Sequence, residues 1–344
     1  MKKVYFKSIN SYSKTEEISN TAKELLNILV ETENIILEPF IPIKTHFGEK
    51  DNTTYIEPPN YNGVIDYLKE YKIESAFIET NVLYRGQRMT RSNHIKLAQD
   101  HGFTRLPILI ADGDHGENYE EVQIDKKNFK SCKIGKKITE YNQMIVLAHF
   151  KGHMNAGFGG SIKQLAMGCA SRGGKLAQHS NAVPYVKDDD CIACGICVEK
   201  CPVEAIIIDE TAKINPEICI GCASCIAVCP QSAITNKWDV VNNETFLERM
   251  AEYAYAATKK QNNIYINFVF NITEDCDCFD GHMDLIAKDA GVLASTDPVA
   301  LDQASHDMLD KVNKRKVLPN GRYILEYSEE IGLGSRDYEL VEIE

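Results

Sequence analysis

The sequence predicts an α/β fold, in which a largely parallel sheet with flanking helices is interrupted by a cysteine-rich insertion. Short apolar runs with the length of strands alternate with amphipathic stretches with the length of helices, which is the pattern of a layered α/β domain. Eight of the 12 cysteines lie between residues 191 and 229, and the alternating pattern resumes after them. We therefore expect one discontinuous host domain, residues 1–186 and 238–344, around an inserted domain at residues 187–237.

Each predicted strand of the host domain is a short apolar or alternating run. The strands are expected at residues 3–9, 40–47, 75–79, 106–111, 144–148, 264–272 and 291–294. The helices carry apolar residues at helical spacing and are expected at residues 18–29, 64–68, 91–101, 162–170, 246–259 and 298–312. Strands that alternate with helices of this kind indicate a largely parallel sheet.

Several of these helices begin at residues that can cap a helix. A predicted capping box starts at Ser13, and Asn60 and Ser161 are expected to cap the second helix and the helix at 162–170. Asp297 followed by Pro298 is a strong helix start, because a capping carboxylate precedes a proline at the first helical position.

The inserted segment is built from one cysteine pattern that occurs twice, 28 residues apart. Each copy reads C-x2-C-x2-C-x3-C-P, with Cys191, Cys194, Cys197 and Cys201 in the first copy and Cys219, Cys222, Cys225 and Cys229 in the second. Ala205-Ile206 and Ala233-Ile234 repeat at the same offset, as in an internal duplication. A pair of zinc ribbons is the alternative, but zinc ribbons use two C-x2-C pairs separated by a longer spacer.

This double pattern resembles that of the bacterial two-cluster ferredoxins. The resemblance implies a small α+β domain with two [4Fe–4S] clusters, in which the fourth cysteine of each copy reaches the other cluster. The implied ligand sets are Cys191, Cys194, Cys197 and Cys229 for one cluster, and Cys219, Cys222, Cys225 and Cys201 for the other. Such clusters exchange single electrons, so an electron donor or acceptor protein is an expected partner.

Composition and charge exclude several other classes of protein. The net charge of −12 and the isoelectric point near 5.3 argue against a nucleic-acid partner. No apolar run approaches the length of about 18 residues that a membrane span requires, and the N-terminus lacks the pattern of a signal peptide. We therefore expect a cytoplasmic protein, in a reducing compartment that keeps cysteines available as metal ligands.

Stretches outside the cysteine runs resemble a second family. They lie at residues 149–163, 167–171, 276–278 and 294–302. They resemble bacterial and archaeal iron–sulfur proteins that carry the domain of unknown function numbered 362, over roughly residues 40–312. The resemblance implies an α/β host domain with a two-cluster ferredoxin insert, and it implies no reaction.

A second site is predicted from the cysteines and histidines outside the insertion. Cys276 and Cys278 are two residues apart, so in an extended segment both thiols point to the same face. Such a pair could chelate an additional soft metal, with further ligands drawn from Cys169, His46, His149 and His153. The alternative is that these cysteines are inert buried side chains. Cys132 is the weakest candidate among them.

The glycine-rich turn at residues 157–160 precedes a predicted helix and predicts an anion site. The N–H groups of Gly159 and Gly160 would face a carboxylate or phosphate at the positive end of that helix, with Lys151 and Lys163 nearby. The turn matches neither a dinucleotide fingerprint nor a P-loop, so no nucleotide cofactor is predicted. The alternative is a tight turn that allows close packing of helix and sheet.

These observations favour a redox protein whose clusters pass low-potential electrons to a site in the host domain. A free electron shuttle needs only about 60 residues, whereas most of this chain lies outside the insertion. The protein would be an iron–sulfur oxidoreductase for a small anionic substrate, which Lys151, His153 and Lys163 would bind or protonate. The alternatives are a non-enzymatic electron carrier or accessory subunit, and a maturation factor that transfers a metal or cofactor through Cys276 and Cys278.

Overall fold

The chain folds into layers of helices and strands, which a computed structural model describes for residues 1–84, 86–179, 183–219, 221, 223–235 and 243–343. The strands are β1 (Lys2–Ser8), β2 (Ile43–Lys44), β3 (Phe77–Glu79), β4 (Ile108–Ile110), β5 (Tyr119–Gln123), β6 (Ser131–Gly135), β7 (Ile145–His149), β8 (Lys151–His153), β9 (Gly157–Gly159), β10 (Tyr185–Val186), β11 (Ile206–Ile208), β12 (Ala212–Ile214), β13 (Ile234–Thr235), β14 (Ile264–Val269), β15 (Gly291–Ser295) and β16 (Tyr338–Glu342). The helices are α1 (Thr15–Thr32), α2 (Asn62–Glu70), α3 (Arg91–Asp100), α4 (Lys136–Thr139), α5 (Ser161–Cys169), α6 (Arg172–His179), α7 (Ile196–Glu199), α8 (Ser224–Val228), α9 (Asn243–Thr258), α10 (Pro298–Asn313) and α11 (Tyr323–Glu330).

A central sheet runs through the described part of the chain, with the strand order β16-β1-β15-β14-β7-β2-β3-β4. The run from β14 through β7, β2 and β3 to β4 is parallel, and so is the pair β16 and β1. Only β15 is antiparallel to its neighbours β1 and β14 within this sheet. The prediction of a mixed α/β protein with a largely parallel sheet and flanking helices is therefore confirmed.

Apolar side chains cover both faces of the sheet, because successive residues of a strand point to opposite faces. In β14, Ile264, Ile266 and Phe268 pack with α1 and α2, whereas Tyr265 and Val269 pack with α5, α9 and α10. All residues of β14 are buried, as expected for a strand that is covered on both faces. Within the described residues, no helix combines the length and the apolar character needed to cross a bilayer.

Three of the four predicted helix caps are wrong, beginning with those at Ser13 and Asn60. The Ser13 hydroxyl bonds to Ser11 at 2.8 Å instead, and α1 begins at Thr15 without a side-chain cap. Asn60 lies inside a 3₁₀ turn, Pro58–Tyr61, that precedes α2, so it does not cap that helix. In both cases a local alternative hydrogen bond or turn replaces the cap, as short polar side chains commonly do.

The predicted cap at Asp297, the residue before α10, is confirmed. Asp297 accepts hydrogen bonds from the N–H groups of Val299 and Ala300 at 2.9 and 3.0 Å. Ser161 was predicted to cap α5, but it is the first residue of that helix.

The cap of α5 is Asp302, which reaches across from α10. Its Oδ1 accepts from Ser161 N–H at 2.8 Å and its Oδ2 from Ile162 N–H at 2.9 Å. The amide of Asn267 donates a further bond of 2.7 Å to Oδ1. The positive end of α5 therefore already holds an anion that the chain itself supplies.

The cysteine-rich segment, by which we mean the described residues of 183–235, has its own small secondary structure. It contains two antiparallel strand pairs, β10 with β13 and β11 with β12, and the helices α7 and α8. Its apolar cluster includes Ile206, Ala212 and Ile234. The segment lies between α6 and α9 in the chain, and the predicted boundary at 237/238 falls outside the described residues.

We expect Asp302→Asn to lower the free energy of unfolding by about 1–3 kcal/mol, because one backbone N–H of α5 then faces an amide N–H₂ instead of an oxygen. The measurement is urea unfolding at pH 7, with Asp51→Asn as the control, since the Asp51 side chain is 74% exposed. A variant as stable as the wild type would contradict the assigned role of Asp302.

Candidate functional site

A cavity opens beyond the carboxyl ends of β3 and β7, which is the edge where parallel α/β sheets commonly bind ligands. Its volume is about 60 Å³, enough for an ion or a small group of atoms. We call it the thiol cavity, because Cys276 and Cys278 line it. The predicted site residues that line it are His46, His149, Lys151, Gly159, Gly160, Lys163, Cys276 and Cys278. The loop after β14 therefore brings the cysteine pair to the ends of the parallel strands, as the second-site prediction requires.

Asp277, between the two cysteines, is the centre of this site. It is fully buried, and its Oδ1 lies 2.9 Å from His149 Nδ1 while its Oδ2 lies 2.8 Å from Lys151 Nζ. Burial alone would raise the pKa of Asp277, but the charges of His149 and Lys151 outweigh burial and hold that pKa well below its ordinary value. We call Asp277, His149 and Lys151 the Asp277 triad.

Both ring nitrogens of His149 face hydrogen-bond acceptors in this arrangement, so the predicted role of His149 as a metal ligand requires one of these bonds to break. The second ring nitrogen, Nε2, lies 2.7 Å from the carbonyl oxygen of Phe270. A carbonyl oxygen and an ionised carboxylate only accept hydrogen bonds, so both ring nitrogens donate and neither has a lone pair for a metal.

A second charged group borders the cavity on the side of His46. Arg88 is fully buried; its Nε donates to Glu49 Oε2 at 3.1 Å and its Nη1 lies 2.7 Å from His46 Nε2. Burial, and then the charge of Arg88, lowers the pKa of His46 to about 4. His46 is therefore neutral near pH 7, with Nε2 3.5 Å from the sulfur of Cys278.

Cys276 is the reactive thiol of the site. A hydrogen bond from the Cys278 thiol, together with the positive charges of Lys163 and Lys151, outweighs burial and lowers the pKa of Cys276 to about 6. Burial disfavours the charge of Lys163, but the neighbouring Cys276 and Cys278 raise its pKa above the ordinary value. Cys276 is therefore a thiolate near neutral pH, next to lysine cations.

His153 and Asp275 lie beside the thiolate on the outer side of the site. Ligand atoms of His153, Asp275 and Cys276 all lie within 4.8 Å of one another, close enough to hold one metal ion. However, His153 Nδ1 accepts from the N–H of Ala156 at 2.9 Å, so the neutral ring carries its proton on Nε2. Both His153 and Asp275 also line a wider cleft of about 720 Å³ that adjoins the thiol cavity.

Cys169 takes no part in the thiol cavity, so its assignment to the second site is wrong. It is fully buried in the apolar core, near Lys44, Glu79 and Lys175. Burial raises the pKa of Cys169 to about 12, which leaves it an unreactive thiol. Cys132, the weakest candidate by sequence, is also fully buried in that core.

The predicted anion site at the glycine-rich turn is only partly present. Gly159 and Gly160 line the cavity, but the N–H groups at the start of α5 bind Asp302 rather than an external anion. Lys151 is paired with Asp277. Within the described residues no carboxylate lies within ion-pair distance of Lys163 or of Lys175, and both lysines line the cavity.

The cysteines of the cysteine-rich segment surround two further cavities of about 20 Å³ each. Cys191, Cys194, Cys197 and Cys229 line the first cavity, and Cys201, Cys219 and Cys225 line the second. Cys222 lies outside the described residues. Cys229 thus lies with the first three cysteines of the other copy, and Cys201 lies with Cys219 and Cys225, as crossed ligation needs; cluster binding itself stays a prediction.

The two copies of the cysteine pattern also share backbone geometry. The positive φ angles at residues 193, 195 and 204 recur 28 residues later at 221, 223 and 232. In both copies an alanine N–H donates to the fourth cysteine: Ala205 to Cys201 Sγ and Ala233 to Cys229 Sγ, each at 3.2 Å. The duplication seen in the sequence is therefore a duplication of structure.

Sequence reasoning missed Asp277, Arg88 and Glu49 as parts of the site. Asp277 had a signal, because an acidic residue between two cysteines can serve as the counter-ion of a nearby cation such as Lys151. Arg88 and Glu49 come from separate loops and carry no local pattern, so their pairing exists only in the tertiary structure.

We expect the alkylation rate of Cys276 to rise with pH around a midpoint of about 6, because the thiolate is the nucleophile. Lys163→Gln should move this midpoint to higher pH, whereas Lys163→Arg retains the charge. Mass spectrometry of the tryptic peptide 261–288, which contains only Cys276 and Cys278 as cysteines, measures the label. The peptide 164–172, which carries Cys169, should stay unlabelled in the folded protein; a Cys276 midpoint near the ordinary value of about 8.5 would contradict the assignment.

Comparisons with known proteins give the following results. A crystal structure of a Thermotoga maritima protein has a TM-score of 0.42 and 10% identity to this chain, covering 88% of this chain and 58% of that chain. The lactate racemase apoprotein from Thermoanaerobacterium thermosaccharolyticum has a TM-score of 0.37 and 13% identity, covering 77% of this chain and 50% of that chain. This chain thus spans little more than half the length of either structure.

No curated protein matches the sequence. The model of one protein family, described as domain of unknown function (DUF362), matches residues 41–307, which is most of the chain and includes the thiol cavity. The chain therefore belongs to the DUF362 family.

Proposed function

We propose that this protein is a two-[4Fe–4S] oxidoreductase, in which electrons pass through the cysteine-rich segment to the thiol cavity. The donor set supports this cofactor, because the described cysteines form a group of four and a group of three around two small cavities. Cys222, which follows in the second pattern, would complete the second group. Each cluster, when bound, supplies one-electron transfer, and backbone N–H groups that donate to the cysteine sulfurs stabilise its negative charge.

The contact between Ala223 and the rest of the protein carries this proposal. Ala223 lies between Cys219 and Cys225, in what we call the second cysteine loop. It is 1% exposed and packs with Leu83 and Leu176. The residues that directly precede those leucines, Val82 and Lys175, line the thiol cavity. The second cysteine loop thus lies against the wall of the cavity, which is a short path for electrons.

The first cysteine loop, which carries Cys191, Cys194 and Cys197, has the opposite environment. Ile196 is 37% exposed, whereas Ser224, which is its equivalent in the second copy, is 1% exposed. Ile192 is 60% exposed, and Cys194 is also exposed. Apolar residues in solvent next to a cysteine loop suit contact with a partner protein. Electrons from a donor protein therefore enter at the first loop and leave at the second.

The substrate class that the cavity favours is small and anionic. Lys163 and Lys175 supply positive charge at the cavity, whereas Lys151 is paired within the Asp277 triad. His153 is a poor proton donor near pH 7, because burial and then Lys163 lower its pKa to about 3. The substrate would enter from the wider cleft, where His153 and Asp275 lie beside Cys276.

A second candidate function is the transfer of a metal during cofactor maturation. The approach of ligand atoms from His153, Asp275 and Cys276 to within 4.8 Å favours it. It requires the His153 ring to give up the Nε2 proton before that nitrogen can bind a metal.

We expect protein purified without oxygen to contain about eight irons and about eight inorganic sulfides per chain, the content of two [4Fe–4S] clusters. Crossed ligation predicts that Cys191→Ala and Cys229→Ala alter the same electron-paramagnetic-resonance signal, whereas Cys201→Ala alters the other one. Colourless protein, or protein whose cysteines hold zinc, would remove the redox proposal.

The direction of electron flow predicts a difference between the two cluster variants. We expect Cys201→Ala, which keeps the exposed first loop intact, to be reduced by methyl viologen radical at least about ten times faster than Cys229→Ala. Stopped-flow absorption under anaerobic conditions measures both rates. Equal rates would mean that electrons do not enter preferentially at the first loop.

A further inference from the structure

Cys276 and Cys278 are two residues apart in the sequence, and both line the thiol cavity, whose volume is only about 60 Å³. Outside the cysteine-rich segment, the other described cysteines, Cys132 and Cys169, are fully buried in the apolar core. We propose that Cys276 and Cys278 form a redox-active dithiol–disulfide pair, which accepts the electrons that pass through the cysteine-rich segment. The inference rests on the proposed function for the source of these electrons.

The backbone around the two cysteines keeps the thiols close. The carbonyl of Asp277 accepts from the N–H of Glu49 at 2.9 Å, and the carbonyl of Cys276 accepts from the N–H of Phe279 at 3.0 Å. The side chain of Asp277 is held by the ion pairs of the Asp277 triad. These contacts fix the loop that carries both thiols, which lowers the entropy cost of closing a disulfide between them.

The charges around the pair favour exchange with a disulfide or another two-electron acceptor. A thiol attacks fastest when its pKa lies near the ambient pH, because it is then both ionised and nucleophilic. Cys276 meets this condition, with Lys163 and Lys151 beside it. Cys278 lies on the other side of the cavity, with its sulfur 3.5 Å from His46 Nε2.

The redox step balances with the groups present and the two clusters of the proposed function. Oxidation forms the bond between Cys276 Sγ and Cys278 Sγ, breaks the S–H bond of Cys278, and releases two electrons and one proton. The released proton leaves the cavity to solvent, because His46 Nε2 lies 2.7 Å from Arg88 Nη1 and the low pKa of His46, about 4, makes it a weak base. Reduction takes up two electrons and one proton, and two one-electron [4Fe–4S] clusters store that number of electrons.

The first experiment measures the pair itself in the full-length protein under anaerobic conditions. The protein is equilibrated with mixtures of reduced and oxidised dithiothreitol, denatured in N-ethylmaleimide, and digested with trypsin. We expect the peptide 261–288 to change from two labels to none as the buffer becomes more oxidising, with a loss of two mass units for the disulfide. The peptide 164–172 should carry one label throughout, and Cys278→Ser should leave one label on 261–288.

Two outcomes of this experiment would overturn the inference. One is a peptide that carries two labels at every buffer ratio, which means that no disulfide forms. The other is a metal ion that protects both thiols in the folded protein and leaves with a chelator, which assigns the pair to metal binding. A normal disulfide transition in protein that contains no iron would support the pair but remove the cluster as its electron source.

The second experiment tests the connection to the cysteine-rich segment. Protein with loaded clusters and an oxidised pair is mixed with methyl viologen radical, and the labels on peptide 261–288 are followed in time. We expect Cys201→Ala to slow the appearance of the two labels at least about tenfold. Ala223→Asn, which puts an amide against Leu83 and Leu176, should also slow it.

The matched control for this variant is Ala193→Asn in the first cysteine loop. Ala193 and Ala223 both have positive φ angles, 52° and 59°, which asparagine tolerates. In protein that carries Ala193→Asn, the cysteine pair should be reduced at the wild-type rate. Equal rates in wild type, Cys201→Ala and Ala223→Asn would show that the pair is reduced directly by the viologen, which would overturn its role as the acceptor of the segment.

Discussion

The ion pairs of Asp277 with His149 and Lys151 hold the candidate site together. Asp277 lies in the loop after β14, whereas His149 ends β7 and Lys151 begins β8. The same residue also accepts a backbone hydrogen bond from Glu49 in the loop after β2. Leaving a buried charge without its partner typically costs about 3–5 kcal/mol, so these three segments are tied to one arrangement. The position of both thiols follows from it.

The site is a buried polar network next to the apolar core. Lys44 and Glu79 form a fully buried ion pair of 3.0 Å next to the cavity, and Arg88 pairs with Glu49 at 3.1 Å. Charges in such a medium interact more strongly than in water, which is why individual groups here have strongly shifted pKa values. Cys276 is shifted toward greater reactivity, because a hydrogen bond from Cys278 and the charges of Lys163 and Lys151 outweigh burial and lower its pKa.

The two cysteine loops show how context changes the use of a repeated sequence. Both copies have the same cysteine spacing and the same positive φ positions. One copy packs Ala223 against Leu83 and Leu176, whereas the other exposes Ile192 and Ile196. A duplication that is symmetric in sequence thus becomes a segment with one inner and one outer end, which is what directional electron transfer needs.

The sequence by itself determined the features that depend on local pattern. Hydrophobic spacing predicted the strands of the sheet and the helices that flank it. The Asp297-Pro298 dipeptide predicted a helix start, and the two-residue spacing of Cys276 and Cys278 predicted that both thiols share one face. The cysteine pattern also identified the grouping of the described cysteines around two cavities.

Only the tertiary structure decided which of the remaining candidates meet at the site. It separated Cys169 from the cavity, turned both nitrogens of His149 toward acceptors, and filled the positive end of α5 with Asp302. His149 and Ser161 bond to residues that lie more than 100 positions away in the chain, and Cys169 is enclosed by the apolar core. The reason is physical: burial and long-range ion pairing set the protonation and the availability of a side chain, and neither is encoded in the residues next to it.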